Sequence, residues 1–290
     1  MLALAAQLAT NGLITGSLYA LLGVSWGLIF GTTRIFHFAH ALTLTVAVYA
    51  AVLAVDRWRL GLALGFLLAV VVGGLFGMAT ERVVYRPLRR VGATPLNIFL
   101  ASLGLLISGE SLVLIAFGPQ ARELAGFPVR GIVLGPVAFT TVEGLWLVAS
   151  WVTLLSLIGW LWWTRHGRAI RAVASNRELA QCMGVDPERV DILVFAIGSA
   201  LAGLAGTLLA LRDTASPTIG VQPVLAAFIA VFLGGIGSIL GAVLGGLVLG
   251  MAENMGGLVL PGHWQGVIAF VVLFLVLVFR PSGLLGVRTR

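Results

Sequence analysis

The chain has 290 residues, 59% of them hydrophobic and only 10% charged, with a mean hydropathy of +1.07 and a formal net charge of +7. Soluble domains carry roughly 25% charged residues, so most of this surface must face lipid, and with the positive charge split among loops a nucleic-acid partner is excluded. All 18 positive charges are arginine and there is one cysteine, Cys182, which rules out an intrachain disulfide, a cysteine metal cluster, a lysine Schiff base and a phosphate loop of the G-x-x-x-x-G-K type.

A helix that crosses a ~30 Å hydrocarbon core needs about 20 apolar residues. Apolar runs fall at about 4–31, 38–55, 60–80, 96–117, 145–163, 191–211, 224–251 and 265–280. They predict an all-α, polytopic transmembrane helix bundle: a single membrane domain over residues 1–290 with seven to nine membrane segments. The first run lacks a basic leader and is too long for the apolar core of a signal peptide, so it reads as the first span. Gln7 and Asn11 lie one turn apart on it and read as interhelical hydrogen-bonding groups.

His37 and His40 flank a break after the first span. Two histidines with no neighbouring carboxylate or cysteine make a thin metal site, so no metal ligand is assigned and the pair reads as holding the turn. Small residues recur at four-residue spacing: Gly12/Gly16/Ala20, Gly23/Gly27/Gly31, Gly73/Gly77, Gly198/Ala202/Gly206 and Gly237/Gly241/Gly245. In lipid, helices associate through such close backbone approaches. Glu110 lies inside the fourth run, where an unpaired charge costs on the order of 3 kcal/mol; it must face protein or water, as a structural partner or along a solute path, or sit near the outer end of the span.

The longest polar loop, about 164–190, contains "RAIRAVASNRELAQCMGVDPERVD". Ser175 and Glu178 fit the S-x-x-E capping box, with Ser175 as the N-cap. Met183 precedes Gly184, a natural left-handed terminator. Asp186-Pro187 then offers an N-cap and a first-turn proline for a helix that continues into the run at 191. Leu179, Cys182 and Met183 share one face of the short helix. Such a stripe either lies on lipid or docks into a groove of another protein.

The seventh run is interrupted by Gly234, Gly235, Gly237 and Ser238, which predicts one bent helix or a broken or re-entrant pair over 224–251. Half-helix ends at membrane depth often face solute, and a carboxylate is favoured at a helix N-terminus; close packing is the other use of such glycines. One set of alternate loops holds thirteen of the arginines (Arg34; Arg82, Arg86, Arg89, Arg90; Arg165, Arg168, Arg171, Arg177, Arg189; Arg280, Arg288, Arg290) and the other holds five (Arg57, Arg59, Arg122, Arg130, Arg212). The richer set is expected inside, with the N-terminus outside and the C-terminus cytoplasmic. That parity needs an odd number of crossings, met by seven spans with a re-entrant pair or by nine.

No HExxH or G-x-S-x-G motif is present, which counts against an intramembrane enzyme. Five blocks instead carry a resemblance: "NGLITGSLYALLGVSWGLIFGTTRIFHFAHA", "ERVVYRPLR", "GRAIRAVASNRELAQCMGVD", "FLGGIGSILGAVLGGLVLGMAE" and "RPSGLLG". Together, in this order, they resemble the branched-chain amino acid permeases (Liv type) of ABC importers. The family's usual asparagine and glycine around F-A-H are His37 and Ala41 here. Relatives of this type also carry urea, short amides or other amino acids.

The resemblance implies a bacterial inner-membrane permease subunit that performs no chemistry and binds no cofactor. It would pair with a second permease, identical or homologous, and with two cytoplasmic ATPase subunits that hydrolyse ATP. An extracytoplasmic solute-binding protein would deliver the solute. Ser175, Glu178, Leu179, Met183 and Gly184 would form the part that docks on the ATPases. His40, Glu110, Gly234, Gly235, Gly237 and Ser238 are the solute-path candidates. A self-sufficient channel or secondary carrier, which needs no ATPase, is the competing class.

Overall fold

A computed structural model describes residues 2–124, 126–258, 265–280 and 282–286. Its helices are α1 (Leu2–Thr33), α2 (His40–Val52), α3 (Leu62–Thr80), α4 (Arg86–Arg90), α5 (Pro95–Phe117), α6 (Thr141–Trp163), α7 (Arg165–Ser175), α8 (Arg177–Cys182), α9 (Pro187–Arg212), α10 (Val221–Gly234), α11 (Ile239–Gly256) and α12 (Gln265–Phe279). Single π-helical turns, Leu53–Arg57 and Glu81–Tyr85, extend α2 and α3. Among the described residues seven helices are long and apolar enough to cross a membrane, while Val221–Gly234 and Gly266–Phe279 are shorter apolar helices. The polytopic helical bundle read from the apolar runs is therefore the architecture observed.

Three features refine that reading. The seventh run is two helices, α10 and α11, rather than one bent helix. The polar loop holds α7 as well as the short helix α8. A hairpin of β1 (Gly131–Leu134) and β2 (Val137–Thr140) precedes α6, in a stretch without an apolar run long enough to draw attention.

The chain divides into two compact units, one of residues 1–27, 127–154 and 225–290, the other of 28–126 and 155–224. In the first, the early turns of α1 cross α11 at small residues. A Cβ on Gly16 would lie 3.0 Å from the Leu247 Cα, and one on Gly250 would strike the Gly16 backbone. The same helix meets α10 where Gly23 faces Ala230 and Gly27 faces Val231. Beyond those contacts Trp26 packs edge-on against Phe228, 5.5 Å between centroids, beside a core of Ile229, Ala230, Leu233, Leu249 and Leu273. Gln7 bonds Asn11 as its spacing suggests, but its long-range partner is the hairpin: its amide donates to the Ala138 carbonyl and accepts from the Ala138 N–H, each at 2.7 Å.

The break between α10 and α11 is closed by the chain itself. Gly235 and Gly237 take φ of +109° and +84°, conformations open to glycine at little cost. The last carbonyls of α10, left without helical donors, accept from Leu284 N–H (Leu233 O, 2.9 Å) and Leu285 N–H (Gly234 O, 2.8 Å). Ser238 caps α11 by accepting from the Gly241 N–H at 3.0 Å.

In the second unit α3 and α9 lie against each other and against α2. Gly73 and Gly77 allow this: a Cβ on either would meet a carbonyl of α9, Ser199 O or Phe195 O, at 2.7 Å. Gly206 makes room for Leu44 of α2, and Gly109 of α5 makes room for Leu42.

Candidate coupling site

The polar loop is built as a rigid corner. Thr164 caps α7 by accepting from the Gly167 N–H at 3.1 Å. A side chain at Gly167 would collide with the Leu161 backbone, so glycine permits the sharp turn out of α6. Arg171 donates back to the Leu161 carbonyl and lies over the Trp162 ring, 4.8 Å from its centroid. Gly167, Ile170 and Val173 are the buried face of α7.

The predicted cap of the short helix is off by one residue. Ser175 is helical and ends α7; Asn176, extended at φ −152°, is the N-cap of α8, and its side-chain oxygen accepts from the Leu179 N–H at 2.9 Å. A capping-box serine must leave the helical conformation, and α7 holds Ser175 within it, so the adjacent short polar side chain takes the role. Glu178 then sits in the first turn, where a negative charge suits the helix dipole. The predicted end is found in full: Gly184 adopts φ +83°, its N–H reaches Gln181 O, and the Val185 N–H reaches Ala180 O, both at 3.0 Å. That pair of bonds is a Schellman motif. Asp186 caps α9 at the Glu188 and Arg189 N–H groups, with Pro187 in the first turn. On α8 only Ala180 is buried, while Leu179 (61% exposed), Met183 (78%) and Cys182 face outward.

Four charged groups mount this helix, and none was singled out from the sequence. Arg177, in the first turn of α8, grips Asp191 of α9 with both terminal nitrogens, at 3.0 and 2.6 Å. Arg89 donates at 3.1 Å to Asp191 Oδ2, the oxygen that Arg177 Nη2 also reaches, and pairs as well with Glu81. Both carboxylates are buried, so each charge is compensated where it would otherwise be costly. Contact with Asp191 raises the Arg177 guanidinium further above its ordinary range. At the rim, Glu188 accepts from Arg86 and Arg90.

The π-turn explains how Arg89 reaches Glu81. Eight positions on an unbroken α-helix leave two side chains about 80° apart around the axis. The extra residue of a π-turn removes most of that angle. An arginine that leans toward the helix N-terminus then comes beneath the glutamate. Tyr85, at the other end of the turn, is fully buried. Its hydroxyl donates to Ser102 Oγ at 2.9 Å and meets His37 Nδ1 at 2.8 Å, and Ser102 Oγ also accepts from the Ala39 N–H at 3.0 Å. With the Tyr85 proton directed to Ser102, His37 Nδ1 is the donor in its bond to the Tyr85 hydroxyl. Burial, and then the nearby His40 ring, hold His37 well below the usual histidine range, so it is neutral.

The solute-path candidates are dispersed. His40 opens α2 and is buried beside His37, 5.3 Å between centroids. Glu110 lies eight residues along α5 from Ser102, about 12 Å away, and its Oε1 is buried without a hydrogen-bond partner among the described residues. Gly234, Gly235, Gly237 and Ser238 belong to the other unit, at the break described above. Ala41, where glycine is usual, lies in a regular helix with negative φ, so the methyl group costs no backbone strain. No cluster of three or more metal-ligating side chains occurs among the described residues. The signal that would have found the ion network is general: Glu81 and Asp191 sit at the ends of apolar runs, and buried charge at a membrane demands a partner.

Residues 8–277 match the family model described as "Branched-chain amino acid transport system / permease component". The chain is 32% identical over 290 aligned residues to the high-affinity branched-chain amino acid transport system permease protein LivH of Escherichia coli K12, covering 95% of this chain and 94% of that one. It is 33% identical to the corresponding protein BraD of Pseudomonas aeruginosa, covering 97% and 95%. Among solved structures, that titled "PsaBC from Streptococcus pneumoniae in complex with Fab" superposes with a TM-score of 0.54 at 14% identity, over 94% of this chain and 91% of that one; this last likeness concerns the fold alone.

Proposed function

Because the chain belongs to the family of branched-chain amino acid transport permeases, we propose that it is one membrane-spanning subunit of an ATP-driven importer for branched-chain or closely related amino acids. It pairs with a second permease subunit, accepts solute from an extracytoplasmic binding protein, and is driven by two cytoplasmic ATPase subunits; the chain itself holds neither ATP nor a cofactor. Its place is the bacterial inner membrane, with the N-terminus outside and the loop 164–190 inside.

The observation that carries this reading is the mounting of α8. The helix is capped at both ends and fixed to α9 through Arg177 and Asp191, yet its Leu179 and Met183 side chains stay exposed. Apolar side chains on a rigid, short helix suit a groove in a partner, and the ion pair passes that partner's displacement to α9. Alternating access follows as a rigid rotation of spans rather than a chemical step. We assign Glu110 and His40 to the solute path.

The test is reconstitution in proteoliposomes with the partner permease, the ATPase subunits and the binding protein. Leucine uptake that requires ATP and every subunit is expected. Uptake by this chain alone would favour a self-sufficient carrier and reject the importer reading. A photo-crosslinking residue at Gln181, exposed on α8, should capture an ATPase subunit; failure to do so in an active preparation removes the docking assignment.

A further inference from the structure

We propose that the π-turn Glu81–Tyr85 is a relay that connects the α8 mount to the loop His37–Ala39, with Glu81, Arg89 and Tyr85 as positioning residues; the transport role of this relay rests on the importer reading. The turn is held at both ends by directional contacts. At one end Arg89 joins Glu81 to Asp191, which Arg177 of α8 grips through both carboxylate oxygens. At the other end, one turn along the same helical face, the Tyr85 hydroxyl joins His37 to Ser102, and Ser102 holds the Ala39 N–H. An unbroken series of contacts therefore runs from the exposed short helix to the loop that precedes His40.

Two physical points favour transmission over simple cohesion. Buried ion pairs contribute little net stability compared with well-packed apolar side chains. Their distinctive property is geometric, since a bidentate guanidinium fixes angle as well as distance, and a displacement of α8 cannot slide past it. A π-turn is also a local departure from α-helical pairing that recurs at functional sites. Re-pairing of the turn as regular α-helix, with every residue kept, would swing Arg89 away from Glu81 by about 100°, the rotation of one helical residue.

Two arms test the relay. In the full-length chain, amide exchange at Ala39 is compared between the wild type and Arg177→Met. The relay requires Ala39, remote from the substitution, to exchange several-fold faster; a change confined to α8 and α9 would overturn it, whatever the protein transports. In the reconstituted complex, solute moved per ATP hydrolysed is measured for Tyr85→Phe, His37→Leu and His37→Asn, with Trp151→Phe as a control that removes a half-buried donor elsewhere. Tyr85→Phe and His37→Leu should lower that ratio about fivefold, the scale of one lost hydrogen bond, with the Gln181 cross-link to the ATPase retained. His37→Asn, whose amide can donate from nearly the position of Nδ1, should restore it. A normal ratio in Tyr85→Phe, or a deficit that merely follows the amount of assembled complex, overturns the relay. A wild-type complex with no ATP-dependent uptake instead overturns the importer reading, and leaves the exchange arm to judge the relay as a structural link.

Discussion

Replacement of Arg177 by methionine removes the guanidinium that ties α8 to α9 while it keeps most of the aliphatic stem. The fork makes two hydrogen bonds, at 3.0 and 2.6 Å, to a buried carboxylate. Charge-assisted bonds contribute about 1.5–3 kcal/mol each. The full sum is not lost, because the Arg177 side chain is 40% exposed and water screens its half of the pair. Arg89 also remains on Asp191 at 3.1 Å, so the carboxylate keeps one cation. About 2 kcal/mol is left, below the ~3–5 kcal/mol for breaking a fully buried pair. Native-state hydrogen exchange reads this locally: the amides of Ala180–Met183 should open about 30-fold more often, at ~1.4 kcal/mol per tenfold. In a double-mutant cycle with Asp191→Asn, the two effects should fall short of additivity by more than 1 kcal/mol, well outside the ~0.5 kcal/mol scatter of independent sites. Unchanged α8 exchange, or additivity within that scatter, would show that the fork does not hold the helix.

Other substitutions test other parts of the construction. Asn176→Ala should destabilise α8 by about 1 kcal/mol while Ser175→Ala stays within about 0.5 kcal/mol, as measured by exchange of the Leu179 amide; the reverse order would restore Ser175 as the cap. Gly77→Ala should lower thermal stability in detergent by about 1–3 kcal/mol, because its methyl would press on Phe195 O and on Ser199, whereas Gly104→Ala, which meets nothing within 4 Å, should be neutral or slightly stabilising. Since His37 is held neutral by burial, its contribution is complete above the unfolded-state value of about 6.5 and is lost as pH falls toward the lower folded value. The melting temperature should therefore decline below about pH 6.5, and the His37 share of that slope should vanish in His37→Asn.

The spans were legible because lipid imposes a coarse rule, twenty apolar residues, that needs no knowledge of partners. The ends of α8 and α9 were nearly as clear, since glycine and proline act through their own backbone, as at Gly184 and Pro187. The cap slipped from Ser175 to Asn176 because α7 was not recognised: its weakly apolar face of Gly167, Ile170 and Val173 reads as part of an arginine-rich loop. The ion network was hidden for a different reason. Glu81 and Asp191 are 110 positions apart, and their meeting depends on a one-residue π insertion that nothing in "ERVVYRPLR" announces. Gly16 at the crossing of α1 with α11, and Gly73 and Gly77 at that of α3 with α9, are glycines that the four-residue spacing had marked, whereas Gly250 is not, and spacing alone does not pair one helix with another.

Cys182 is the single thiol of the chain and stands exposed on α8, flanked by Leu179 and Met183. A maleimide dye or nitroxide added to the unaltered protein consequently has one address, on the surface assigned to the motor. Its reactivity in the free and assembled states would report how much of that surface the motor shields, with no sequence change at all.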